Sequence, residues 1–597
     1  MKYFIYLSYP ILLFLVFLVL LLNENIRNTI SKNKKGIFLF LILNIVLINL
    51  FLILHLRQES FIPYWDFGGF WKRSLEFNQM LDRSITEAMD NLLYSIRYTE
   101  YSFVPALLSS FATKLVGNSF PRFIIAMYNS FLLPANLLLY IMSLMIIEKD
   151  EHHSVLKKIL CGILISGFGG NYYSMVFGYT GSAGLPFITA VLLLVYAGGL
   201  ENFKWRNNIM IGLIMILLLV IRRWFAYWIV GFYIAYCIAY LVREGKSLTR
   251  NKFMTQFANM MVCGLIPLSI LLICFMPLFK TIVTYNYAEA YSVAKMGGAG
   301  FIIGWFIEYY GWFIVALFVT GLVLGLKNRK MRMITVMAVL QTVIAIVLFN
   351  RVQSFGSHHY YIINVPVLIV ALIGMTEIVS YLKKQIVIAV IVIFSLLTTA
   401  NFSKTVVFGN DMIGNPVYGV LNRILPAPFP DLRIRNDLDK IRSMAKFLDE
   451  VPQEYEYVYT LSSSVLFNDD FLMNAFLPDK LYGVNNLLVA SAYDYRDGIP
   501  ADFFFYKYIV VADPIQINFG EELQRCVSVL AEFMLDETRS GPYYRVIREE
   551  KIDYGITIKI FERIDTVPNS VRQTIIDEYK KYYSDRPEMY AFNLLDE

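Results

Sequence analysis

Three stretches of this chain carry residues whose types and spacing suit chemistry. The first, RQESFIPYWDFGGFWKRSLEF at 57–77, sets Asp66 among aromatic side chains. Partial desolvation raises a carboxylate's proton affinity toward the range of a useful general base, and the same group can ligate a divalent metal. Beside it, Trp65, Trp71 and Lys72 are substrate-facing candidates, and Gly68 and Gly69 allow a ligand close to the backbone. The plain alternative is a hydrated loop acid that opens a helix as its N-cap. The second stretch, VIRRWFAYW at 220–228, pairs Arg222 with Arg223. Guanidinium forks bind phosphate oxygens bidentately; the alternative is that both arginines snorkel to lipid headgroups. The third, NRVQSFGSHHYYIINVPVLIVAL at 350–372, holds Arg351, His358, His359 and Tyr360. Adjacent residues on a helix point about a third of a turn apart, so the two histidines are poorly placed to share one metal and could simply be interfacial polar groups. Tyr285, Tyr287 and Glu289 in the segment 279–301 offer ring faces and a carboxylate that suit either a sugar or a membrane interface.

The elements that must hold these residues belong in a bilayer. The 597 residues are 57% hydrophobic and only 17% charged, with a mean hydropathy of +0.53, whereas soluble proteins carry roughly a quarter charged residues. Apolar runs near the length needed to cross roughly 30 Å of hydrocarbon recur to Phe402 and then stop. They predict about twelve transmembrane helices, near 4–23, 37–56, 122–147, 159–177, 185–200, 208–221, 225–242, 256–279, 303–326, 333–350, 360–381 and 386–402. Every second connection is basic: Arg27 to Lys35, Lys157 with Lys158, Lys204 with Arg206, Arg243 to Lys252, Lys327 to Arg332, and Lys383 with Lys384. The positive-inside rule assigns those loops to the cytoplasm. The N-terminus, the external loop 57–121 with its amphipathic interfacial helices, and everything after 403 then lie outside.

Lys and Arg outnumber Asp and Glu through 1–403, and the reverse holds in 404–597, so the overall charge of +6 hides two opposite halves and does not point to nucleic acid. Four of the five cysteines sit in apolar helices and only Cys526 lies beyond them. No disulfide within the soluble part and no zinc-ligand spacing follow.

After the last apolar run, a segment rich in Gly and Pro at 404–432 reads as a linker, and 433–597 as a soluble extracytoplasmic α/β domain. Residues 433–450, 471–477 and EELQRCVSVLAEFML have helical character, and YEYVYTLS, YKYIVVAD, YYRVIREE and YGITIKIFERI read as strands. A three-layer arrangement accounts for that order. The phrases SSSVLFNDD, YDYRDGIPADFF and VADPIQINF read as turns at strand ends.

The run from Asp66 through YTEYSFVPALLSSFATKLVGNSFPRF resembles the GT-C superfamily of membrane glycosyltransferases, with its specific part confined to 60–140. Asp66 matches the acid that opens the first large external loop of that superfamily, Glu100 falls near its second polar position, and TKLVG at 113–117 matches a characteristic phrase. The acid that many members carry after the next external turn is missing from GYTGSAGLP at 178–186, which puts a second acid or metal ligand there in doubt. The resemblance implies that Arg351, His358, His359 and Tyr360 match a turn placed over a lipid phosphate, and that Arg222 and Arg223 hold the phosphate of a polyprenyl-phosphate-linked sugar. It further implies an extracytoplasmic glycan or other hydroxyl-bearing acceptor and an inverting displacement in which Asp66, or next Glu100, is the catalytic base taking the acceptor proton; a divalent metal is left open as cofactor. The competing readings are a flippase or transporter of lipid-linked sugar or polysaccharide and a receptor without catalysis. Transporters tend toward internal repeats and broken midplane helices, whereas here the polar candidates collect at one face.

Overall fold

The computed structural model describes residues 2–148, 153–411, 414–488 and 494–594. The chain divides into two compact units, Met1–Gln58 with Arg73–Leu432, and Glu59–Lys72 with Arg433–Glu597.

The first unit is helical. Among the described residues, eight helices are long and apolar enough to cross a bilayer: Lys34–Leu56, Phe120–Ile147, Phe225–Glu244, Arg250–Cys274, Ala299–Lys327, Arg332–Asn350, Asn364–Tyr381 and Lys384–Phe408. Ser8–Leu21 and Glu24–Lys32 meet at 97° and make a ninth if counted as one broken span. Asn23 causes the break, its side-chain oxygen accepting from the backbone N–H of Asn25 and Ile26 to start a new helix. The spans expected at 185–200 and 208–221 are the shorter apolar helices Thr180–Tyr196 and Trp205–Ile221. The one expected at 159–177 stops early, as Ser154–Gly167, because Gly169 and Gly170 follow and break into two short turns, Gly169–Asn171 and Tyr173–Val176. Phe120–Ile147 and Asn364–Tyr381 are buried on nearly all sides, whereas Arg250–Cys274 and Lys384–Phe408 expose rows of large apolar side chains, as lipid-facing helices do.

One helix crossing sets the floor of the site. Ala299–Lys327 and Asn364–Tyr381 approach through Gly321 and Gly374, where an added Cβ would fall inside contact distance of the facing Val370 and Leu317 carbonyls. Small residues at such a crossing let backbones pack closely inside a membrane. Above it, Asn364 Nδ2 donates to Asn171 Oδ1 at 3.0 Å and to the Tyr309 hydroxyl at 3.1 Å, and the Tyr310 hydroxyl donates to Asn364 Oδ1 at 2.9 Å. The Tyr361 hydroxyl donates to the Asn171 carbonyl at 3.1 Å. The network ties the 3₁₀ turn Ser357–Ile362 to the broken segment after Ser154–Gly167. Residues 404–432, expected to be a linker, instead carry the end of Lys384–Phe408 and the helix Pro416–Ile424, and group with this unit.

The second unit contains strands β1 (Val458–Leu461), β2 (Leu487–Leu488), β3 (Tyr508–Asp513), β4 (Tyr544–Lys551) and β5 (Thr557–Arg563), in the order β2-β1-β3-β5-β4. The first three are parallel and β5 and β4 antiparallel. Side chains alternate between faces with period two. Tyr459, Leu461, Ile509, Val511 and Phe561 pack with helices Glu521–Leu535 and Asn569–Tyr582, while Val458, Val510, Ile558 and Ile560 pack with helix Leu438–Glu450. Both faces are covered, as a parallel core requires.

Candidate functional site

The first candidate cluster lies in the helical unit and gathers five sequence segments. Trp205–Ile221 ends at Arg222, whose extended backbone turns the chain into Phe225–Glu244. Arg223 Nη2 donates to the Thr99 carbonyl at 2.5 Å and Nη1 to the Tyr287 hydroxyl at 3.3 Å. The Arg222 guanidinium lies over the Tyr101 ring at 4.8 Å and the Trp224 ring at 5.9 Å. His358 stacks on Tyr179 with ring centres 4.1 Å apart, and His359 meets Trp224 edge-on. Of the sequence-predicted residues, Arg222, Arg223, Tyr287, His358 and His359 come together here, and Glu100 is exposed beside Thr99. Arg351 is exposed at the end of Arg332–Asn350, and Tyr285 is also exposed. Glu289 accepts from its neighbour Asn286 at 3.1 Å.

Charge decides the protonation of the two histidines. Burial, then His359 and Arg222, hold His358 well below the usual histidine range, and burial with Arg222 brings His359 down to about 3. The Gly356 N–H donates to His359 Nδ1 at 2.9 Å, which makes that nitrogen an acceptor and leaves the ring neutral with its proton on Nε2. The positive charge here therefore belongs to the arginines, and the histidines contribute shape and a hydrogen-bond donor. Tyr360 turns away from the cluster, buried and stacked on Tyr309 with centres 3.8 Å apart.

The second cluster lies in the other unit and surrounds Asp66. The segment 59–72 is fastened there at several points. Glu59 accepts from Arg433 Nε and Nη2, each at 2.7 Å, and Ser60 exchanges backbone bonds with Arg433 and Arg435. Ile62 enters the sheet's core, and Asn474 Nδ2 donates to the Pro63 carbonyl at 2.8 Å. Gly68 packs so closely on Pro63 that a Cβ would come to 2.7 Å from its carbonyl. Trp65 adopts φ +48, a conformation rarely taken by residues other than glycine, and its N–H donates to Asp470 Oδ2 at 2.5 Å. Burial, then the Asp469 and Asp66 carboxylates against the opposing pull of Lys72 and this N–H, pushes Asp470 up to about 7. Lys72 lies over the Tyr482 ring at 3.8 Å.

Asp66 thus opens the helix Trp65–Arg83. Trp71, a substrate-facing candidate from sequence, is buried in the fold. Asp470 and Tyr101 were not singled out from sequence. Asp470 reads as a turn residue in FNDD, and only the fold brings it to a segment some four hundred residues earlier. Among the described residues no group of three or more His, Cys, Asp or Glu side chains has metal-holding geometry. The turn Thr180–Gly184, where the expected second acid is missing, is wholly buried.

No family model and no curated protein matches this chain. Among solved structures it is similar to the crystal structure of ArnT from Cupriavidus metallidurans bound to undecaprenyl phosphate, at 11% sequence identity and a TM-score of 0.46, over 88% of this chain and 98% of that one.

Proposed function

We propose that this protein is a GT-C-type membrane glycosyltransferase that moves a sugar from a polyprenyl-phosphate carrier to a hydroxyl-bearing acceptor outside the cytoplasm, such as a cell-envelope glycan. The observation that carries the reading is the gathering of Arg222 and Arg223 with Tyr101, Tyr287 and two neutral histidines from four separate segments. Arginines that only snorkelled to lipid would need no such partners. In the inverting displacement, the acceptor oxygen bonds to the anomeric carbon as the carbon–oxygen bond to phosphate breaks, and the acceptor proton passes to Asp66. The carrier leaves as polyprenyl phosphate, and fixed positive charge at the leaving oxygens stabilises the charge that develops there. Glu100 is the alternative proton acceptor. A divalent metal is not required by this scheme.

The test uses the full-length protein in lipid nanodiscs with polyprenyl-phosphate-linked sugars and reads release of polyprenyl phosphate. Asp66→Asn is expected to leave expression and carrier binding intact while cutting turnover by about 10²–10⁴-fold. Unchanged turnover would remove Asp66 from the mechanism. Transbilayer movement of intact lipid-linked sugar with no bond broken would make the protein a flippase instead.

A further inference from the structure

A cavity of about 460 Å³ opens in the helical unit, lined among others by Tyr173, Trp305, Glu308, Tyr360, Lys404 and Asp431. Its volume falls in the range of small-molecule sites, roughly 300–1,000 Å³. The function argued above uses none of these residues.

Glu308 is the unusual member. Ala299–Lys327 is a long apolar helix whose other charged residue is its last, Lys327. A carboxylate inside such a helix is costly in a membrane and is kept where it faces a polar cavity. Glu308 is exposed and lines this one. Burial, and then the Glu308 carboxylate, push the Tyr360 hydroxyl up, so that hydroxyl stays protonated as a donor. Opposite, Lys404 Nζ pairs with Asp431 Oδ1 at 3.0 Å. Two large rings are partly open to the space, Trp305 at 38% and Tyr173 at 36% exposure.

The balance of groups selects the ligand. Two carboxylates against one ammonium make the lining net acidic, which repels a phosphate, and the ionised groups disfavour a hydrocarbon tail. A sugar ring has what the lining lacks: hydroxyl donors for Glu308 and Asp431, acceptors for Lys404 and Tyr360, and C–H faces for Trp305 and Tyr173. The turn Ser357–Ile362 separates this space from the arginines. Successive residues of a 3₁₀ turn point about a third of a circle apart, so His358 and His359 face Tyr179 and Trp224 while Tyr360 stacks on Tyr309.

We propose that this cavity is a saccharide-binding site, with Glu308 and the Lys404–Asp431 pair holding ring hydroxyls and Trp305 and Tyr173 covering the ring faces. The assignment of that sugar to a transferase substrate rests on the function proposed above; the cavity's affinity for a sugar does not. The experiment is saturation-transfer NMR on the full-length protein in nanodiscs with free methyl glycosides of glucose, galactose, mannose, N-acetylglucosamine and arabinose. At least one is expected to receive saturation on its ring protons, and both Glu308→Gln and Trp305→Leu are expected to reduce it at least threefold with the thermal unfolding midpoint unchanged. Transfer to none of them, or equal transfer in wild type and both well-folded variants, would overturn the proposal. Displacement of the glycoside by polyprenyl-phosphate-linked sugar would identify the carrier's sugar as occupant, and displacement only by unlinked oligosaccharide would identify the acceptor; either supports the site. Binding of bare polyprenyl phosphate is measured separately. Its absence would sink the carrier reading and leave the sugar result standing.

Discussion

Arg222 and Arg223 look interchangeable in the sequence and are not so in the fold. Arg223 spends donors on the Thr99 carbonyl and the Tyr287 hydroxyl, whereas Arg222 lies over aromatic faces beside two uncharged histidines. A lysine keeps the charge of either and loses the planar fork. Arg222→Lys is therefore expected to weaken polyprenyl-phosphate binding by about 1–3 kcal/mol, the scale of a charged hydrogen bond, with folded protein retained. Binding that survives both Arg→Lys and Arg→Gln at 222 and 223 would move the phosphate elsewhere, with Arg351 as the next cation. Asp470 gives a second residue-scale expectation. Its folded-state pKa is raised from 3.8 to about 7 by burial and by the carboxylates of Asp469 and Asp66. A carboxyl raised in this way keeps its proton in the folded form at a pH where the unfolded chain has released it. Its contribution to stability is complete below the unfolded value and is lost as pH rises through the folded one. Between pH 4 and pH 7 the thermal midpoint of the wild type should thus fall more steeply than that of Asp470→Asn. Parallel melting curves across that range would mean that Asp470 is ionised throughout.

Among the elements, the crossing of Ala299–Lys327 with Asn364–Tyr381 has the least room. Gly321 and Gly374 face each other's backbones there, on the two helices that also carry Tyr310 and Asn364 of the hydrogen-bond network. A side chain at either glycine would push the helices apart against carbonyl groups rather than flexible side-chain tips. Gly321→Leu or Gly374→Leu is expected to abolish monodisperse folded protein in size-exclusion chromatography, whereas Gly304→Ala, on the same helix with open space around it, is expected to be silent. A well-folded Gly374→Leu protein would show that the helices can separate without loss. The segment 59–72 is the other element whose place follows from packing. It looks like an external membrane loop, yet Glu59, Ile62 and Pro63 are each held by residues of the C-terminal unit. The role this suggests for the C-terminal unit is mechanical: it fixes the backbone on which Asp66 stands.

For the molecule as a whole, the alternation of basic loops predicts which side of the membrane each end occupies. A reporter fused after Glu597 is expected to be active only outside the cytoplasm, as judged by paired fusions to an enzyme that works only when exported and one that works only when retained. A cytoplasmic signal would overturn the topology and remove the acceptor chemistry proposed here from the outer face. The same alternation predicts the Arg222–Arg223 turn and the histidine turn on that face, since both connections lie between basic ones.

Composition and periodicity were enough to determine the membrane class, the rough positions of the long apolar helices, and four of the five strands of the C-terminal unit, but not β2 or the helix Asn569–Tyr582. These are local properties: a helix in lipid must be apolar over its own length, and a strand in a two-faced sheet must alternate over its own residues. Sequence also brought out Asp66, Arg222, Arg223 and the His358–His359 pair, because charged or titratable groups beside apolar runs are conspicuous. Their partners were not legible. Asp470 reads as a turn, Tyr101 as one tyrosine among 41, and Glu308 as an isolated charge in a hydrophobic run. Trp71 reads as a substrate-facing ring and is buried. Each of these outcomes depends on which distant segment packs alongside. The protonation of the histidines depends likewise on burial and on a guanidinium more than a hundred residues away, quantities that exist only once the helices have packed.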